Sequence, residues 1–418
     1  MSQVFAVIAR EPRARWFLAA HVQSAIGSGA ADVALVVIAY DRLRSPWAIA
    51  LVLLADFLPG MALGPIFGAV ADRWSRKGCA ILADVVRAAA FVGIGVVHSF
   101  GATVALALLG GVGTALFSPA VLAALPTLAA PERGAAVTSL YGATRDLGRT
   151  LGPLVAAAAF PLIGVAHLMV VNGATFAASA LALAFLSFGP AVSAGSHGGY
   201  RKLLTEAREG LTVTWRMPGV RVVLWASTAI IVFAAMVNVG ELLLARKLGA
   251  GPSGFAVLMV AFGLGVVSGS LAGARGGPLH ELKSRYVAGL LLVGAAVAAL
   301  AVTPTYGAAL LGFFAMGVGN GVVVVQERLI FHAAIEDRLM GRAFALLETL
   351  GAWGFAAAYG AAAALIAALG IRGMFGVAGA GGVAVWVMAA VSLRSVWRPA
   401  PAPPAIAQRV PHEAGERN

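Results

Sequence analysis

The stretch PWAIALVLLADFLPGMALGPIFGAVADRWSRK, residues 46–77, decides the fold class. Between Pro46 and Ala71 it carries one ionisable residue, Asp56, and then turns abruptly to Asp72, Arg73, Arg76 and Lys77. A helix rising about 1.5 Å per residue needs about 20 apolar residues to cross a hydrocarbon layer about 30 Å thick, and this segment is longer than that. The charged cluster directly after it reads as the point where the chain leaves lipid.

The same pattern recurs along the chain. Of 418 residues 60% are hydrophobic and only 11% charged, with a mean hydropathy of +0.89, far more apolar surface than one water-soluble core buries. Twelve transmembrane helices are expected at 16–40, 47–71, 78–98, 102–129, 138–163, 165–188, 221–245, 253–275, 285–303, 307–334, 342–368 and 372–394. The apolar stretch after Arg10, Arg13 and Arg15 is too long for a signal-peptide core and is expected to be retained as the first span.

The net charge of +12 does not point to nucleic acid, because Lys and Arg lie in short clusters between spans and never in a stripe interleaved with aromatics. Most fall on one side of the expected topology, whereas the other side carries only Arg42, Arg44, Arg246, Lys247 and Arg372; both termini are therefore expected in the cytoplasm. The lone cysteine, Cys79, excludes an intramolecular disulfide, and no His/Cys spacing suggests a metal. No phosphate-binding loop or nucleophile elbow is present, so no enzyme and no cofactor are expected.

The longest polar segment, Gly189 to Pro218, separates the sixth and seventh spans and reads as a linker followed by an amphipathic surface helix. The expected organisation is a six-helix half at 1–188, a cytoplasmic linker at 189–220, a second six-helix half at 221–396 and a disordered Pro- and Ala-rich tail at 397–418. Gly60, Gly64 and Gly68 match Gly265, Gly269 and Gly273 at an offset of 205 residues. Pro46 matches Pro252, and Gly111 and Gly113 match Gly317 and Gly319, at an offset of 206. A duplication of six helices follows, with the halves expected to enclose a substrate path and to rock against each other. Each glycine triple leaves one helix face free of side chains, for packing or for sliding.

Ionisable residues within spans are costly and mark function or pairing. Asp56 lies near the midplane of the second span, on the face of Gly60. Asp32 ends a polar stripe of His21, Ser24 and Ser28, which is expected to face a polar path, and its counterpart at the 206-residue offset is Asn238. Glu241 lies about a turn beyond, either in the outer pathway or at a wet helix end. Asp32, Asp56, Asn238 and Glu241 form the candidate proton and substrate pathway. Arg145, Asp146, Arg149, Glu327, Arg328 and Glu348 are expected as a charged collar toward the cytoplasm, closing the inner mouth through salt bridges when the halves rock outward. Asp84 and Arg87, three apart, are expected to pair with each other.

Gly68, Asp72, Arg73, Arg76 and Lys77 closely resemble the G-x-x-x-D-R-x-x-R-K signature between helices two and three of the major facilitator superfamily, where the loop latches the halves in the outward-facing state. Gly148, Gly152 and Pro153 resemble the core of the helix-five motif of that superfamily's antiporters. The closing Gly-Gly of that motif is Ala156-Ala157 here, and the Arg that many proton antiporters carry in helix four is missing from 102–129. Segments 24–32, 84–87 and 171–176 look like the bacterial branch of enterobactin, macrolide and multidrug exporters.

The resemblance implies the twelve-helix major facilitator fold in a bacterial cytoplasmic membrane, a monomer, a small-molecule substrate and protons as the coupling ion. The expected function is proton-coupled export of a small amphipathic molecule. A lipid or lysolipid flippase, a nutrient importer and a receptor or scaffold that moves nothing stay open. A cavity carboxylate could bind a proton outside and release it inside in exchange for outgoing substrate.

Overall fold

The computed structural model describes residues 7, 9–188, 215 and 217–397. The expected amphipathic linker helix and the Pro-rich tail lie outside the described residues. Ten helices, each long and apolar enough to cross a membrane, account for nearly all of the rest. They are α1 (Pro12–Leu43), α2 (Pro46–Arg73), α3 (Arg76–Val96), α4 (Phe100–Ala124), α5 (Gly134–Phe185), α6 (Pro218–Lys247), α7 (Pro252–Gly273), α8 (Leu279–Val302), α9 (Tyr306–Ala334) and α10 (Asp337–Leu393).

Their starts follow from local chemistry. Pro12, Pro46, Pro218 and Pro252 stand in the first turn of their helices, where a missing N–H costs nothing. Ser45, Ser75, Ser99 and Thr305 each accept a hydrogen bond from a first-turn amide, at 3.2, 3.2, 3.2 and 3.3 Å. The connections α1–α2, α2–α3, α3–α4 and α8–α9 are correspondingly short.

At 52 and 57 residues, α5 and α10 are each about twice the length of a membrane span. Each is broken at one glycine, Gly164 (φ 77°) and Gly370 (φ 73°), in the left-handed region that other residues avoid. The chain reverses there. In its first arm α5 climbs in step with α1, Tyr141 lying against His21 and Gly148 against Ala25; in its second arm Thr175 lies beside Gln23 and Ala184 beside Lys77, running the other way. In the same manner α10 follows α6 from Gly354 beside Val232 to Tyr359 beside Asn238, then returns with Gly381 against Phe233.

Backbone approach fixes the register of the internal repeat. An added Cβ on Gly111 would strike the carbonyl of Asp56, and one on Gly317 would strike that of Phe262, so α2–α4 and α7–α9 superimpose at an offset of 206. That register corrects the match of the glycine triples, which is one residue out. Gly265, Gly269 and Gly273 lie against the backbone of α9 within their own half, while Gly60, Gly64 and Gly68 have nothing within 4 Å of an added Cβ. A slip of one residue turns a helix face by about 100°, so equal spacing did not mean an equal role.

The buried apolar residues form two clusters. The larger runs continuously from Ala30–Ala55 on α1 and α2 into α6–α10, joining the two halves. The smaller, around Phe17, Leu116, Val121 and Leu183, is confined to the other end of the first half. Hence the halves are packed together at the face where α1 and α6 end, here the distal face, and separate toward the face that carries the starts of α1 and α6, the terminal face.

Candidate functional site

At the distal face the two halves are joined by charge. Arg246, in the last turn of α6, donates to Asp41 in the last turn of α1 at 2.7 Å and lies over the ring of Tyr40, 4.9 Å from its centroid. Arg44 reaches the same carboxylate at 3.4 Å. A cation at a helix C-terminus also offsets the negative end of the helix dipole.

Below this contact both halves carry carboxylates within their spans, Asp32 and Asp56 in the first and Glu241 in the second. Asp32 on α1 is exposed while its chain neighbours Ala31 and Val33 are fully buried, and it stands within electrostatic reach of Asp56 on α2 and Arg149 on α5. An exposed carboxylate so enclosed by protein lines a space between the halves and does not face lipid. Opposite it, Asn238 of α6 donates to the Tyr359 hydroxyl of α10 at 3.5 Å. Tyr359 in turn lies within electrostatic reach of Glu241, Asp56 and Asp32. Glu241 is only 6% exposed, which rules out the wet helix end as its setting.

Aromatic rings complete the wall. Phe57 of α2 and Phe355 of α10 meet across the halves with centroids 5.9 Å apart, and Phe355 is 6.1 Å from Tyr359. The four residues singled out in sequence thus share one neighbour, Tyr359, which Asn238 touches and which the three carboxylates reach electrostatically, and Phe355 and Phe57 extend from it. A signal for Tyr359 was present, since it stands one 206-residue repeat from Pro153 of the helix-five motif and is the only tyrosine of its span.

The rest of the polar stripe on α1 does not line this space. His21 and Ser24 are buried, with His21 stacked on Tyr141 at 4.5 Å and flanked by Phe17 and Phe117. Ser24 and Ser28 donate to the carbonyls of His21 and Ser24, so their hydroxyls are used up along the helix itself.

The charged collar is only partly a unit. Arg145, Asp146, Arg149, Arg328 and Glu348 are exposed, and no ion pair links them among the described residues. Glu327 departs from them: it is 8% exposed and turns into the second half toward Ser227, whose hydroxyl lies 2.7 Å from that of Tyr286. Sequence places Glu327 next to Arg328, but helix geometry sends adjacent residues to different faces.

Asp84 and Arg87 form the expected buried ion pair, and the guanidinium is sandwiched between Phe117 (4.0 Å) and Phe176 (4.3 Å). In the loop after α2, Arg76 donates to the carbonyl of Ala123 at 2.8 Å and Lys77 to that of Ala184 at 2.7 Å, tying the loop to α4 and α5. Arg73 is exposed, and the side chain of Asp72 is not among those described. Gly148 and Gly152 are buried against Ala25 and Gly29, where added side chains would strike the α1 backbone, and Pro153 is buried beside them. In this arrangement the helix-five motif is a close crossing of α1 and α5 within one half.

Solved structures share this fold. The nucleoside transporter NupG superimposes with a TM-score of 0.73 at 11% identity, covering 92% of this chain and 99% of that one. The human organic anion transporter MFSD10 does so with a TM-score of 0.63 at 17% identity, covering 90% and 100%. At such identities the likeness is one of fold. In sequence, the uncharacterized MFS-type transporter YfiS of Bacillus subtilis is 24% identical over 341 residues, 79% of this chain and 81% of that protein. An uncharacterized MFS-type transporter of Mycobacterium bovis, Mb0038c, is 34% identical over 116 residues, 27% of this chain and 26% of its own length. The profile of the Major Facilitator Superfamily matches residues 17–274, well over half of the chain and including the loop at 68–77, and the chain belongs to that superfamily of transporters.

Proposed function

We propose that this protein is a proton-coupled secondary exporter of a small amphipathic molecule, working by alternating access with the substrate held between the halves. The observation that carries the reading is the asymmetry of closure. The halves are joined at the distal face by Asp41–Arg246 and by a continuous apolar core, and the carboxylates Asp32, Asp56 and Glu241 stand below that closure without ion-pair partners among the described residues. Rocking would open the distal face and bring the collar residues Arg145, Asp146, Arg149, Arg328 and Glu348 together at the other mouth.

In this reading the two arms of α5 and of α10 each cross the membrane, giving twelve crossings, with the basic terminal face in the cytoplasm of a bacterial cell and the protein a monomer. The loop motif at Gly68, Asp72, Arg73, Arg76 and Lys77 belongs to the mouth opposite the Asp41–Arg246 contact, and Gly148, Gly152 and Pro153 hold α5 against α1 while the halves move. Coupling follows if Asp32 or Asp56 takes a proton from outside, passes it inward, and so changes which closure is favoured.

The test is uptake of amphipathic dyes into inside-out vesicles under an inside-acid pH gradient, with and without an uncoupler. Gradient-dependent uptake that is lost in both Asp32→Asn and Asp56→Asn, at unchanged protein levels, is the expected result. Full uptake in both substitutions would remove these carboxylates as the proton carriers, and uptake indifferent to the uncoupler would remove proton coupling.

A further inference from the structure

We infer that Trp397 is a positioning residue for α6: its ring clasps the first turn of that helix to the end of α10, so that α6, which carries Asn238, Glu241 and Arg246, moves with the rest of the second half. This concerns how alternating access is transmitted through the molecule and rests on the reading that the halves rock.

The start of α6 has little of its own to hold it. Its first turn, Pro218 to Val220, has no side-chain cap and contains a glycine, and the chain reaches it from the polar linker. The hold comes from the other end of the half. A side chain added to Gly219 would strike three atoms of the Trp397 ring, so the indole lies directly on the bare helix backbone there. Trp397 itself is in the left-handed region (φ 51°), which residues with a Cβ avoid, and the seating of its ring offsets that cost. The same turn is secured from α8, where Lys283 donates to the carbonyl of Leu393 at 2.9 Å and to that of Val396, a cation against the negative end of α10. Residues 393–397 thus tie α6, α8 and α10 together at the terminal face.

Two comparisons set this contact apart from ordinary packing at a membrane surface. Trp16 and Trp74, at the same face, are 67% and 69% exposed, as interfacial anchors are, whereas Trp397 is half-buried against the larger apolar cluster. The first half, moreover, fastens its own first helix at the equivalent place by different chemistry. Pro12 and Pro218 open α1 and α6 at the 206-residue offset of the repeat. Just before Pro12, Glu11 pairs with Arg133 at 2.9 Å and accepts from the Ala130 amide at 3.3 Å, tying α1 to the connection that precedes α5. At their far ends α1 and α6 carry the two sides of the distal contact, Asp41 and Arg246. Each helix is therefore fastened at one end to its own half and at the other to its opposite, and closure of the distal face draws on a whole half through it.

The experiment is a double-mutant cycle on the purified full-length protein in detergent, read by melting temperature and by maleimide labelling of Gly64→Cys, Cys79 being buried. Trp397→Ala and Gly219→Leu are each expected to lower the melting temperature, the second by expelling the ring. In the Trp397→Ala background, Gly219→Leu is expected to be harmless or stabilising, because leucine is the better helix former once the ring is gone. Trp397→Phe, which keeps a ring, is expected to restore most of the loss, and Trp397→Leu serves the same cycle should the alanine variant not fold. Trp397→Ala is also expected to slow labelling at residue 64 by about threefold or more, since the distal closure no longer holds the terminal mouth open through α6.

Additive losses in melting temperature would overturn the clasp, since an effect of Gly219→Leu that survives removal of the ring cannot come from the ring. Non-additive losses with unchanged labelling at residue 64 would leave a stitch in the fold and overturn the positioning role. Neither readout involves transport. Dye uptake that is absent or indifferent to an uncoupler would remove the export reading and leave the clasp standing; additive melting losses alongside gradient-driven uptake would do the reverse.

Discussion

A methyl group added to Gly111 would run into the carbonyl of Asp56, whereas one added to Gly60 meets nothing within 4 Å. The two positions look alike in sequence, each a glycine in an apolar run, and differ only in what packs on them. Gly111→Ala is expected to cost about 1–3 kcal/mol, the range for overpacking a close contact, and Gly60→Ala to be neutral or slightly stabilising. Thermal melting of the two purified variants decides the point; equal melting temperatures would mean that α2 and α4 do not meet as described. Single residues were legible where chemistry was unusual for their setting. Asp32 and its repeat partner Asn238 stood out because polar groups in spans are rare, and both are near Tyr359 in the candidate site. Phe57 and Phe355 did not, because an aromatic ring in a membrane helix is ordinary and only the fold brings these two together across the halves.

Among elements, α2 and α7 show how far pattern reading carries. Glycines spaced by four announce a bare helix face, and they do so correctly in both helices, but which neighbour that face meets depends on a rotation that a single-residue slip changes by about 100°. On α7 the face is filled by α9, and on α2 it is open at residues 60, 64 and 68. If α2 closes on the second half during rocking, Gly64→Leu should fold with a wild-type melting temperature and lose dye uptake, because a large side chain fits the open state and blocks the closed one. Normal uptake in that variant would remove the stripe from the moving interface. The reversals inside α5 and α10 were placed well by the change of span, at 163–165 and 368–372. Their sharpness comes from Gly164 and Gly370 at positive φ. Alanine at either position is expected to cost about 1–2 kcal/mol, the penalty of a left-handed residue with a Cβ, again read from the melting temperature.

For the whole molecule, the sequence made legible the helical class and the packing of α2–α4 that recurs in α7–α9, but not which end of the molecule is closed. That depends on the contact of Asp41 with Arg246, two residues 205 apart whose meeting no local pattern announces. The pair is partly open to water, with side-chain exposures of 40% and 24%, and such a contact is worth about 1 kcal/mol at most. For folding that is negligible. For a balance between two closures of similar free energy it is a shift of roughly fivefold in population. The lone cysteine, Cys79, is buried, so a cysteine placed at Gly64 on the open stripe gives a single reactive site at the terminal face. Its labelling by a membrane-impermeant maleimide in inside-out vesicles, which expose that face if it is cytoplasmic, should slow by up to about fivefold when Asp41→Asn or Arg246→Gln removes the distal contact, because the closure at the other mouth gains weight. Exchanging the charges, Asp41→Arg with Arg246→Asp, should restore the original rate. Unchanged labelling in both single variants would show that the distal closure rests on its apolar core alone, and that the ion pair is a passenger on it.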